Sequence, residues 1–110
     1  MKLRYSRAAT AELRLASSHY EEQRPGLGDE FIDAVDATAR QIVEWPSAGQ
    51  PFGDFARGRI VRRFPYWLVY EQRGSVIVVT AVAHQHRGGD YWRSRGGVRE
   101  PSAEYWPLAA

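Results

Sequence analysis

The sequence contains no cysteine, so disulfides and thiolate metal centres are excluded and nothing argues for an oxidising compartment. Long apolar runs are missing too, since no stretch approaches the roughly 18 residues that a membrane span requires. The opening MKLRYSRAAT carries basic residues without the apolar segment of a secretory signal, and a cytoplasmic protein with no membrane partner is therefore expected. Lysine is nearly absent: of fifteen basic side chains only Lys2 is not arginine, which fits either guanidinium chemistry or the codon bias of a GC-rich genome. Acids are scarce in one region. Residues 57 to 95 hold eight arginines against Glu71 and Asp90, for a charge of +6, whereas residues 1 to 56 carry −3 and residues 96 to 110 carry −1. Such a segment attracts phosphate, nucleic acid or an acidic protein partner, although arginine on a sheet surface is also an ordinary solubility device.

What is present suffices for one core. A chain of 110 residues, 44% hydrophobic, is a single small domain, so any site must lie on its surface or in a shallow cleft. KLRYS reads as a short strand, and Ser6 is placed to cap a helix from Arg7 to about Gln23 whose Ala9, Leu13, Ala16 and Tyr20 share one face. RPGLGD breaks that helix. A second helix runs from Leu27 or Asp29 to Glu44, with Phe31, Val35, Ile42 and Trp45 as its apolar stripe and Asp29, Glu30 and Asp33 in or near its first turn. So short a connection predicts an antiparallel hairpin.

Residues 46 to 58, PSAGQPFGDFARG, read as loop on their prolines and glycines. The period then changes from 3.6 to 2, giving strands at Arg59 to Phe64, Tyr66 to Gln72 and Val76 to His84, with Arg73, Gly74 and Ser75 as the turn between the last two. The final strand is apolar on both faces, which suits a central position in the sheet. The order β-α-α-β-β-β places the protein in the α+β class, a helical hairpin packed on a mainly antiparallel sheet. The domain is expected over residues 1 to 95, with 96 to 110 as a tail that packs back through Tyr105, Trp106 and Leu108.

The stretch AHQHRGGDYWRSR, residues 83 to 95, concentrates the polar chemistry. His84 and His86 fall on one face of the strand or its extension, and an H-x-H pair can hold a metal or supply an acid and a base near neutral pH. A metal needs a third ligand, and His19 is the only other histidine; the plainer reading has His84 satisfying backbone groups at the strand end and His86 solvated. Neither a G-x-S-x-G elbow nor a phosphate-cradling glycine loop occurs, and no cofactor is implied. Arginines interleaved with aromatics remain: Arg57, Arg59, Arg62, Arg63, Arg87, Arg93 and Arg95 with Tyr66, Trp67, Tyr91 and Trp92. Guanidinium groups neutralise phosphate or carboxylate and rings offer stacking faces, so RNA, DNA or an acidic protein segment fits, while Tyr66 and Tyr91 could equally belong to the core and Trp92 reads as structural.

With those residues in view, the chain resembles the RelE/ParE superfamily of bacterial toxins from type II toxin-antitoxin modules. AxxEL at Ala9 to Leu13, RPGLGDEFIDAVD, RRFPYWLVYE and VVTAVAHQHRGGDYWRSR carry the resemblance over residues 1 to 95. It implies one of two activities. Members like RelE cut mRNA on the ribosome; members like ParE poison DNA gyrase without catalysis, and fold does not choose between them. A ribonuclease would draw its acid, base and cation from His84, His86, Arg87, Tyr91 and Arg62 or Arg63. The lysines that RelE carries near its second strand have no counterpart, since residues 47 to 64 contain none. FPYxxxY and HxxRxxxYW look closer to ParE. The resemblance thus implies a gyrase poison with a cognate antitoxin as partner, using Arg59, Arg62, Arg63, Arg87, Tyr91, Arg93 and Arg95 as the target surface. A ribosome-dependent ribonuclease and a non-toxic nucleic-acid-binding module are the alternatives.

Overall fold

The computed structural model describes residues 1–85, in which β1 (Lys2–Tyr5), α1 (Arg7–Gln23), α2 (Leu27–Glu44), a 3-10 turn at Pro46–Ala48, β2 (Gln50–Phe52), β3 (Ala56–Ile60), β4 (Tyr66–Arg73) and β5 (Val76–His84) follow in order. Ser6 caps α1 as expected: its backbone is extended and its hydroxyl accepts from the Ala9 amide at 3.1 Å. The helix stops at Gln23 because Pro25 forces Arg24 into an extended conformation. Gly26 then turns the chain with φ of 88°, and the Glu21 carboxylate of α1 accepts from the Gly26 and Gly28 amides, satisfying donors that open the N-terminus of α2. Gly28 lets the two helices touch, since a Cβ there would stand 2.8 Å from the Ser17 carbonyl oxygen.

Five strands form one sheet in the order β1-β5-β4-β3-β2, with β1 parallel to β5 and every other pair antiparallel. The mainly antiparallel α+β architecture is as the sequence predicts, whereas the central place expected for β5 goes to β4, and β5 stands second, between β1 and β4. Between β4 and β5 the register passes from Val69 opposite Ala81 to Tyr70 opposite Val79, so Thr80 is the extra residue of a bulge. The bulge restores the phase of β5, letting Ile77, Val79 and Val82 all join the core under the helices.

That core holds Tyr5, Ala9, Leu13 and Ala16 from the N-terminal strand and α1, Phe31, Val35, Ala39 and Ile42 from α2, and Leu68, Tyr70, Ile77, Val79 and Val82 from the sheet. Burial of each large apolar side chain contributes about 1.5–3 kcal/mol. Tyr20, Phe31, Phe64 and Tyr66 pack as a cluster with ring centroids 5.0 to 6.2 Å apart. On the face away from the helices Ala56, Val69 and Ala81 form a second cluster with Phe52 and Trp67, whose rings meet edge to face.

Three further expectations are corrected. The supposed loop over residues 46 to 58 contains the β2-β3 hairpin, because a three-residue edge strand tolerates Pro51, which has no amide to donate. The strand expected from Arg59 to Phe64 begins at Ala56 and ends at Ile60, and Arg62 and Arg63 belong to the turn after it. Trp45 leaves the apolar stripe: as the C-cap of α2 it departs from helical backbone and stands 60% exposed.

A candidate target-binding surface

The turn from β3 to β4 is built around Arg63, whose φ of 75° makes it the one non-glycine left-handed residue among the described residues. That backbone costs about 1–2 kcal/mol. Neighbouring contacts hold it: the Arg63 guanidinium donates to Glu30 of α2 at 3.0 Å and lies over the Phe64 ring, and Phe64 is buried in the aromatic cluster. Arg24 donates to the second oxygen of the same carboxylate at 3.1 Å. The hydrogen bond from Arg63, then those from and the charge of Arg24, hold the Glu30 carboxyl below its ordinary range. Arg63 is therefore committed to a clamp that fixes the turn.

Arg62 and Arg59 are placed differently. Both line a cleft of about 550 Å³ between α2, the segment after it and the β3 edge, with Gln41, Ile60 and Trp67 among the other walls. Arg59 shares a face with Leu68, its partner in register, and its Nε donates to the Gln41 side chain of α2 at 3.2 Å. Arg62 is exposed. Arg57 instead turns inward and donates to the Gly49 carbonyl at 2.9 Å.

His84 lies in a second cleft. Its ring meets Tyr66 edge to face at 5.1 Å, and the two line a space of about 380 Å³ together with Glu12, Leu15 and His19 of α1. Glu12 also accepts from the Val82 amide at 3.0 Å, tying α1 to β5 beyond the point where β1 ends. Tyr66 is half-buried, and burial followed by the Glu12 charge pushes its hydroxyl pKa upward. Its ring serves the core and borders this cleft at once.

The structure thus divides the predicted residues. Arg59 and Arg62 come together, Arg63 is set aside in its clamp, and His84 stands in a cleft that shares no lining residue with theirs. Among the described residues no three histidine, aspartate or glutamate side chains gather as a metal cluster would. His86, Arg87, Tyr91, Trp92, Arg93, Arg95 and the tail 96 to 110 lie outside the described residues. Gln41, Glu30 and Glu12 were missed because their contacts are 18, 33 and 70 residues away in the chain, beyond the reach of any spacing rule.

The molecule is thus a helical hairpin on a mixed sheet with β1 parallel to β5 and arginines along one edge. The family model for the ParE toxin of the type II toxin-antitoxin system, parDE, matches residues 3–88. The chain belongs to the ParE toxin family. This places it on the ParE side of the RelE/ParE superfamily, as its FPYxxxY and HxxRxxxYW signatures suggest. A solved structure described as a chromosomal ParDE toxin-antitoxin system from P. aeruginosa superposes with a TM-score of 0.68 at 20% sequence identity, covering 76% of this chain and 95% of that one. At that identity the likeness speaks for the ParE fold alone. No curated protein sequence matches the chain. No helix among the described residues is long and apolar enough to cross a membrane.

Proposed function

We propose that this ParE-family toxin arrests growth by poisoning DNA gyrase through surface contacts, without cutting RNA, and that a cognate antitoxin neutralises it. One observation carries the non-catalytic reading: His84 and the arginine pair occupy separate clefts. A ribonuclease needs an acid, a base and a cation converging on one phosphate. On the open face of the sheet, the rows Ala83-Trp67-Ile60 and Ala81-Val69-Gly58 carry none of these, and the acid that follows on β4, Glu71, is paired with Arg73.

The antitoxin reading draws on the family and on two surfaces. Leu15 stands 74% exposed on α1 beside the second cleft, and the arginine edge is basic. Apolar antitoxin side chains cover the hairpin and acidic ones meet the arginines. Co-expression with the adjacent reading frame is expected to give a complex and restore growth; a chain that arrests growth regardless, with no complex, sinks this part.

For the target, the test is a gyrase supercoiling assay with the purified full chain. Inhibition is expected, surviving His84→Ala and His86→Ala and lost in Arg62→Glu, which reverses the charge of the exposed edge. Cleavage of mRNA in stalled ribosomes, abolished by the histidine changes, would replace this reading with a ribonuclease.

A further inference from the structure

At the outer edge of the sheet β2 runs only from Gln50 to Phe52, whereas β3, on which it pairs, continues to Ile60. Val61 donates to the Tyr66 carbonyl at 2.8 Å, so by the alternation of an antiparallel ladder Arg59, opposite Leu68, and Arg57, opposite Tyr70, also turn their peptide groups to β4. Gly58 and Ile60 therefore turn theirs the other way. Gly58 meets Gln50 of β2, but no strand stands opposite Ile60. In register that place would fall to Ala48, whose amide donates instead to the Trp45 carbonyl within the 3-10 turn. Tyr70 fixes the departure by donating to the Pro46 carbonyl at 2.6 Å. The Ile60 amide and carbonyl are thus left without a strand partner among the described residues. Unpaired edges of this kind accept added strands. β2 itself is closed to them, because its outward-facing residue, Pro51, has no amide to donate.

Side chains around Ile60 are divided between the two faces of the sheet. Arg59 stands on the helix side, where its Nε donates to Gln41, leaving its two terminal nitrogens without a partner among the described residues. Ile60 and Trp67, opposite each other in register, stand on the other face, and Ile60 is 42% exposed. Arg62 follows, exposed, in the turn that the Arg63-Glu30 clamp holds. The cleft of about 550 Å³ reaches all four, and no carboxylate among the described residues lines it. A ligand lying on one face would meet the arginine or the apolar pair but not both. An extended peptide along the edge meets both, since its successive side chains point to opposite faces. Its main chain pairs with Ile60, one side chain lies beside Ile60 and Trp67, and the next turns towards Arg59. Two arginines without a carboxylate make that next residue acidic. With Gly58 already taken by Gln50, the segment extends only past Arg62.

We propose that the β3 edge at Ile60 binds an extended segment of another protein as an added strand, with acidic and apolar residues in alternation. Such binding rests on the reading of this edge as a contact surface but needs no gyrase. A test with the purified full chain and peptide alone can therefore fail while the supercoiling assay succeeds, or the reverse. A short blocked peptide of alternating glutamate and valine is titrated by calorimetry, and exchange of the Ile60 amide is followed by NMR. Binding is expected, with slowed exchange at Ile60, and Arg59→Ala should weaken it about tenfold. Ile60→Pro removes the edge-facing donor while leaving the hydrogen bonds of Arg59 and Val61 to β4, and should weaken binding by about tenfold or more. If that variant does not fold, the peptide carries the same test: methylating its valine nitrogens should abolish binding, and methylating its glutamate nitrogens should not. Equal binding of a lysine-valine peptide, indifference to the site of methylation, tighter binding of an oligothymidylate, or no binding at all would overturn the proposal. So would an Ile60 amide already protected in the full chain alone, which would give the edge to the chain's own tail or to a second copy.

Discussion

Tyr5 is fully buried and its hydroxyl has no hydrogen-bond partner among the described residues, an uncommon state for a polar atom in a core. Burial first, and the charge of Asp36 second, push its pKa well above the ordinary tyrosine value. The folded protein keeps the phenol neutral, whereas an unfolded tyrosine ionises near pH 10. Its contribution to stability is therefore whole below about pH 10 and is lost as pH rises beyond it. Tyr5→Phe should leave stability at pH 7 unchanged or raise it by about 1 kcal/mol, and should reduce alkaline sensitivity in denaturant melts. A clear loss of stability at pH 7 would mean that the hydroxyl has a partner after all. Glu30 behaves with the opposite sign. Its pKa is lowered, so the clamp on the β3-β4 turn is present above the ordinary carboxylate range and lost as pH falls through the depressed value. Protection factors of the Val61 and Tyr66 amides, whose hydrogen bonds close this turn, should fall as the carboxyl is protonated in acid, and Glu30→Gln should show the lowered protection already at pH 7; equal protection factors in both proteins at both pH values would dismiss the clamp.

At the scale of elements, the helical hairpin rests on one close approach. Ala at position 28 would set a Cβ 2.8 Å from the backbone oxygen of Ser17, where no side chain can swing aside. Gly28→Ala is expected to cost about 1–3 kcal/mol by thermal melting, despite the higher helix propensity of alanine. A neutral outcome would show that the helices can separate freely. The same hairpin was the most legible part of the sequence, because Ala9, Leu13, Ala16, Phe31, Val35 and Ile42 repeat at helical spacing and Ser6 and Pro25 mark the limits of α1. The β2-β3 hairpin was illegible for an equally physical reason. Gln50–Phe52 and Ala56–Ile60 pair at the sheet edge, where proline is tolerated and few side chains are buried, so composition there speaks for a loop. The arginines of the candidate site could be read from charge alone. Their unequal roles could not, since whether Arg59, Arg62 or Arg63 is spoken for depends on Gln41 and Glu30, which the fold brings over from α2.

For the whole molecule, the feature with the widest reach is the parallel pairing of β1 with β5. Residues 2 to 5 meet residues 76 to 79, the first strand of the chain against the last of the described strands. A chain emerging from the ribosome therefore makes its hairpin of helices early, from contacts close in sequence, and must hold β1 unpaired until β5 arrives. Of all the strands, β5 is the one that joins β1 to the other three. Nascent chains halted before residue 76 should be digested by protease outside the helices, whereas chains extended well past residue 85 should resist. The surface carrying Arg59 and Arg62 would then come into being only once residue 84 has left the ribosome, so a toxin chain shorter than that lacks the surface with which it would act.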